Sequence, residues 1–210
     1  MSATLIKGAL IAGHGEGDLL VQGQRIAAIA PQLTPPAGCE VIDARGLLLF
    51  PGLINTHHHI AQSLLKAIPG SLNLGLNDWL GAVPYRYWPH YTPECLYAAA
   101  RIGFSELLAA GCTTCADHHY LYHRHTSNEL EAALLQAANE IGIRLVVCRG
   151  IATTTGSHRG MSAAKLEAEP LDLCIARLQD LVARHHDPSD SAMTRVRGSI
   201  RPSKKSSARS

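Results

Sequence analysis

The stretch "PGLINTHHHI", residues 51–60, decides how this chain is read. It places His57, His58 and His59 behind a proline, a glycine and an apolar run that opens with "LLLF" at 47–50. In an extended strand, side chains two apart share a face, so His57 and His59 point one way and His58 the other. Two imidazoles about 6–7 Å apart at the backbone can converge on one divalent metal. Imidazole suits Zn, Fe, Ni or Cu, so ligand type alone does not select the ion. The bland alternative is a strand end whose histidines are merely solvated. What surrounds the pair weighs between the two.

Working outward, residues 3–50 read as short strands. "TLIKGALIA" and "GDLLVQGQRIAAIAP" are parted by the turn cluster "GHGEGD", and "GCEVIDARGLLLFPGL" adds two extended pieces. Such a unit cannot close a core by itself. From residue 51 the pattern alternates. Helical stretches are expected over roughly 60–68 and 76–82. A clearer helix, "TPECLYAAARIGFSELLAAG", has Thr92 as cap and Pro93 at its first position. The strand "CTTCADH" follows, then a helix capped by Ser127, the buried strand "IRLVVCRG" and the amphipathic helix "LDLCIARLQDLVARHHD". Strands alternating with helices of this length predict parallel βα units, three complete and a fourth opening at "MTRV". The loop from Arg149 to Pro170 is longer than a connector needs, which marks functional loops more often than structural ones.

These features together carry a resemblance. Pro51-Gly52, then H-x-H at His57 and His59 and Gln62 three residues on, closely resembles the first barrel strand of the amidohydrolase superfamily. "HHHIAQSLLKAIPG…DWL" with "ELLAAGCTTCADHHY" is most similar to its 8-oxoguanine deaminase and hydroxytriazine aminohydrolase branch. The resemblance implies an α/β fold: the amino-terminal half of a TIM-like (β/α)8 barrel over residues 51–194, with part of a small β-sandwich over 1–50. In such barrels the active site lies at the carboxyl ends of the strands, where His57 and His59 would sit. It further implies one divalent metal, Zn or Fe, held by those two histidines, and a small amino-heterocycle as substrate. Water activated by the metal would attack the ring carbon bearing the amino group, and a carboxylate would shuttle the proton to the departing ammonia. A dihydroorotase-type amide hydrolase is the alternative within the family. The cytidine-deaminase signature H-x-E…P-C-x-x-C is absent.

The remaining site candidates are weighed against plainer roles. Gln62 carries a neutral amide that can donate and accept, which suits a heterocycle edge; a solvated glutamine is the plain reading. Trp79 is a candidate apolar wall or a core residue. His118, at the end of "CTTCADH", is a candidate for lining the pocket. Arg149 ends the next strand and would face the same rim as the histidine pair, either on substrate or paired with an acid; the pairing is favoured. Asp117 is read as a structural hydrogen-bonding group. Cys112 and Cys115 form a C-x-x-C that suggests zinc or redox chemistry. Residues three apart on a strand face opposite sides, however, and no second C-x-x-C occurs.

Composition bounds the rest. No apolar run approaches the roughly 18 residues of a membrane helix, so no membrane is expected. Without an export signal, the six cysteines read as reduced core thiols and the compartment as cytoplasmic. The net charge of +2 comes from residues 195–210, which hold six of the 19 Lys and Arg and no acid; the body keeps 13 bases against 17 acids. This basic, serine-rich tail lacks the interleaved aromatics that stack on bases, so no nucleic-acid partner is expected. The family's third histidine, proton-shuttling Glu, further histidine and metal-binding Asp belong to later strands, so no catalytic residue is assigned in this chain. The abrupt change at 195 reads as truncation or a frameshift. The isolated chain is expected to have little or no deaminase activity. A non-catalytic fragment that binds metal or a partner is the alternative, and the family allows a homo-oligomer.

Overall fold

The computed structural model describes residues 2–155 and 160–200. Two compact units divide the chain, Met1–Gly52 and Leu53–Ser210.

The first unit is one mixed sheet of β1 (Ala3–Ile11), β2 (Gly15–Gln22), β3 (Arg25–Ala30), β4 (Glu40–Asp43) and β5 (Leu48–Leu49). Its order is β3-β2-β1-β4, with β5 beside the far end of β1. The β1–β2 ladder breaks register between Ile6 and Ala9. Gly8 sits in that bulge at φ +72°, where an added Cβ would lie 2.6 Å from the Arg45 side chain. Only glycine takes this backbone cheaply. The carboxylate of Asp18 is buried but satisfied, accepting the amides of Gly8 and Leu33, both at 2.8 Å. Those bonds hold its pKa below the ordinary range, Leu33 contributing most. A small core of Ala9, Ile11, Leu19 and Ala44 forms on one face. The described residues of this unit make a single sheet, whereas a sandwich requires two facing ones.

The second unit carries the parallel sheet of β6 (Leu53–His58), β7 (Cys112–His119), β8 (Arg144–Ile151) and β9 (Thr194–Ile200), in that order. A 3₁₀ turn, Ile60–Leu65, follows β6, and short helices α1 (Leu76–Ala82) and α2 (Pro84–Tyr87) lie in the long crossover. Helix α3 (Pro93–Ala109) starts where Thr92 accepts the Cys95 amide. Helix α4 (Asn128–Ile141) starts where Ser127 accepts the Glu129 amide and stops at left-handed Gly142. Helix α5 (Leu171–His185) has Asp172 in its first turn and Arg184 and His185 in its last, matching its dipole. The helices cover one sheet face around a core that includes Leu96, Phe104, Leu134, Leu145, Val147 and Leu181.

Two expectations change here. The apolar run that leads into the histidines has the composition of a buried strand, yet in β6 Leu53 is 62% and Ile54 68% exposed. It is an edge strand paired only with β7 among the described residues, so its apolar side chains lack a partner layer. The supposed tail from 195 begins inside β9, which pairs with β8 from Leu145↔Thr194 to Ile151↔Ile200. Val196 is 2% exposed, and burying it favours a strand despite the basic neighbours. The rest of the tail, 201–210, lies outside the described residues. Cys112 and Cys115 are buried free thiols, and burial pushes Cys115 up to about 12. It therefore stays protonated at neutral pH, as a core thiol does. Among the described residues, no helix is long and apolar enough to cross a membrane.

Candidate metal centre

Strand β6 ends at His58, and His59 leads into the 3₁₀ turn with φ −128° and ψ 81°. The rings of His57 and His59 stand 5.0 Å apart, nearly perpendicular. The Nδ1 of His59 lies 2.7 Å from the carbonyl oxygen of His118. A carbonyl only accepts, so Nδ1 must carry the proton and Nε2 keeps its lone pair. That is the tautomer of a metal-ligating histidine whose other nitrogen is tied to backbone. Burial, the larger cause, also holds the His59 pKa below 6.5, which keeps the ring neutral as a ligand must be.

The next residue is anchored as well. The amide of Ile60 donates to Oδ1 of Asp117 at 2.8 Å, deep in the interior. Consecutive residues of β7 therefore hold the two residues that follow β6. The β6–β7 register, which pairs His58 with Asp117 past an irregularity after Asn55, brings them level.

A cleft of about 440 Å³ opens at this point, lined among others by His57, His59, Gln62, Leu72 and Trp79. A narrower one of about 140 Å³ adjoins it and shares His59, Gln62 and Trp79 with Tyr85 and Tyr120. The structure thus gathers four sequence candidates in one place. His118 joins them, its ring stacked on His57 at 4.2 Å and 30°. Trp79 is half-buried at the cleft, whereas Trp88 fills the core at 4% exposure.

Arg149 does not join, contrary to the expectation that it faces the histidine rim. Along β8 it shares the helix-covered face with Leu145 and Val147. Its Nη2 donates to both carboxylate oxygens of Glu169, at 2.7 and 2.9 Å, and the guanidinium lies 4.0 Å over the Tyr122 ring. Arg177 reaches the same carboxylate at 2.7 Å. In this structure Glu169 engages Arg149 on the helix-covered side of the sheet.

Tyr120 was not singled out from sequence. Gln62 donates to its hydroxyl at 3.1 Å, and its ring packs edge-on to His59 at 5.2 Å. An aromatic directly after the strand-end histidines was the available signal. Among the described residues, no three His, Cys, Asp or Glu side chains gather as a metal site. The donor set fits half of a metal shell: two converging imidazoles, one with its tautomer fixed.

The amidohydrolase family profile matches residues 48–203. This chain belongs to the amidohydrolase family. It is 40% identical to an isoxanthopterin deaminase from an unknown prokaryotic organism, over 85% of this chain and 37% of that protein. It is 34% identical to the 8-oxoguanine deaminase of Pseudomonas aeruginosa, over 93% of this chain and 44% of the relative. Among solved structures, an atrazine chlorohydrolase variant from Arthrobacter aurescens TC1, complexed with zinc and atraton, superposes with TM-score 0.82. That match has 28% identity and covers 92% of this chain and 45% of the other. The chain therefore spans less than half the length of these relatives, and the α/β fold is common to them.

Proposed function

We propose that residues from β6 onward supply the first four strands of a (β/α)8 barrel that hydrolytically deaminates an amino-substituted N-heterocycle. The observation that carries this reading is the His57–His59 pair opening on a cleft, with Nε2 of His59 left free by the bond to His118. The first unit would contribute to a small β-sandwich completed elsewhere. The deaminase relatives support the reaction class, and the zinc-complexed neighbour supports a divalent ion, Zn or Fe.

His57 and His59 would hold that ion, which supplies Lewis acidity and brings the pKa of water toward about 7. The chain's other residues bind and orient. The Gln62 amide, steadied by Tyr120, presents donor and acceptor to a heterocycle edge. Trp79 forms an apolar wall that limits water, and the His118 ring braces His57. Cys112, Cys115 and Cys174 are buried free thiols, which suits a cytoplasmic protein.

Catalytic zinc normally takes three protein ligands, and among the described residues none lining the larger cleft is acidic. Purified residues 1–210 with added zinc are therefore expected to release little or no ammonia from 8-oxoguanine or a related amino-heterocycle. Turnover comparable with that of a complete deaminase, in sequence-verified material, would overturn this. A second reading, a non-catalytic fragment that binds a partner, is favoured by exposed Leu53, Ile54, Leu72 and Leu76, each 62–73% accessible. Lack of zinc binding together with stable association with another polypeptide would select it.

A further inference from the structure

We infer that Asp117 is a positioning residue for the metal ligand His59, an inference that rests on the metal-site reading above. Asp117 is completely buried, on the helix-covered face of β7, and cannot itself reach the cleft beside His118. Its Oδ1 accepts the amide of Ile60, the residue directly after His59. Its neighbour's carbonyl, that of His118, accepts Nδ1 of His59. Thus the ring of His59 and the peptide that follows it are tied to two successive residues of one strand. The first bond fixes where the backbone turns out of β6; the second fixes how the ring is rotated and which nitrogen is free.

The environment of Asp117 fits a device rather than a filler. Oδ2 makes no hydrogen bond and lies 3.4 Å from Nδ1 of His119, whose own Nε2 is buried without a partner. Such orphaned polar atoms are costly in a core, where an apolar side chain would pack without that cost. The carboxylate oxygen aimed at Ile60 is the contact that compensates. Outer partners of metal-bound histidines typically govern about 10- to 100-fold in metal affinity, and Asp117 acts one step further back, through the backbone.

The test is zinc affinity of the whole chain, measured by competition with a chromophoric chelator, for wild type, Asp117→Asn, Asp117→Leu and His59→Ala. Asparagine keeps an oxygen for the Ile60 amide and is expected to stay within about threefold of wild type, while leucine is expected to lose about tenfold or more. Equal affinity of Asp117→Leu and wild type, with His59→Ala weakened, overturns the positioning role alone. Equal affinity of His59→Ala and wild type overturns the metal reading beneath it. Should Asp117→Leu fail to fold, ¹⁵N spectra of the wild type decide. Zinc is then expected to increase protection of the Ile60 amide from hydrogen exchange, since coupling between two groups is reciprocal. An Ile60 amide indifferent to zinc would contradict the inference.

Discussion

Replacing Glu169 with alanine is expected to lower the stability of the second unit by about 3–5 kcal/mol, the cost of leaving a buried charge without its partner. The Arg149 side chain is fully buried, and both carboxylate oxygens of Glu169 receive its Nη2. Arg177, partly exposed, uses the same carboxylate and also donates to the carbonyls of His123 and Thr126. One acid therefore pairs with two guanidiniums and ties α5 to the end of β8 and to the loop before α4. Its removal strands Arg149, whose Nε is already without a hydrogen-bond partner. The stacked Tyr122 ring offers only a fraction of the lost attraction. Both tryptophans lie in this unit, so urea unfolding followed by tryptophan fluorescence reads the loss directly. Glu169→Gln, which keeps one acceptor, is expected to fall between alanine and wild type. An alanine variant within about 1 kcal/mol of wild type would show that the charge cluster is dispensable.

The second large effect is at Gly150. A Cβ there would lie 2.9 Å from the carbonyl oxygen of His119 and 3.3 Å from Cα of Tyr120. These are backbone atoms, so no rotamer change relieves the contact, and β7 and β8 must part. Gly150→Val is expected to cost about 1–3 kcal/mol, the range for forcing volume into a packed site. The strain falls on the segment that holds His59 and Gln62, so zinc affinity is expected to drop with stability. Unfolding midpoints and zinc titration of the same preparation check both; unchanged values for each would mean the two strands yield without effort.

How much of this was legible in the sequence follows from how local each signal is. Helices α3 and α4 could be read because Thr92-Pro93 and Ser127 mark their starts and glycines their ends, all within a few residues. The shared direction of His57 and His59 follows from the two-residue period of a strand and needs no tertiary information. The face of Arg149 was not legible. Residues 145–148, "LVVC", are apolar throughout, so alternation gives no clue to which side the helices cover, and its partner lies 20 residues away. That Asp117 is a hydrogen-bonding group is legible, but that its partner is the Ile60 amide depends on the β6–β7 register and its irregularity, which no local pattern encodes. Exposure of β6 is illegible for a different reason. Leu53 and Ile54 have the composition of a covered strand, while the described residues leave them on an edge.

If His57 and His59 ligate one metal ion, zinc titration of the purified chain beside the His57→Ala/His59→Ala double variant shows it. Wild type is expected to bind one zinc per chain at the pair, with affinity falling at least about tenfold in the double variant while folding is retained. Equal zinc affinity in the two proteins would contradict it.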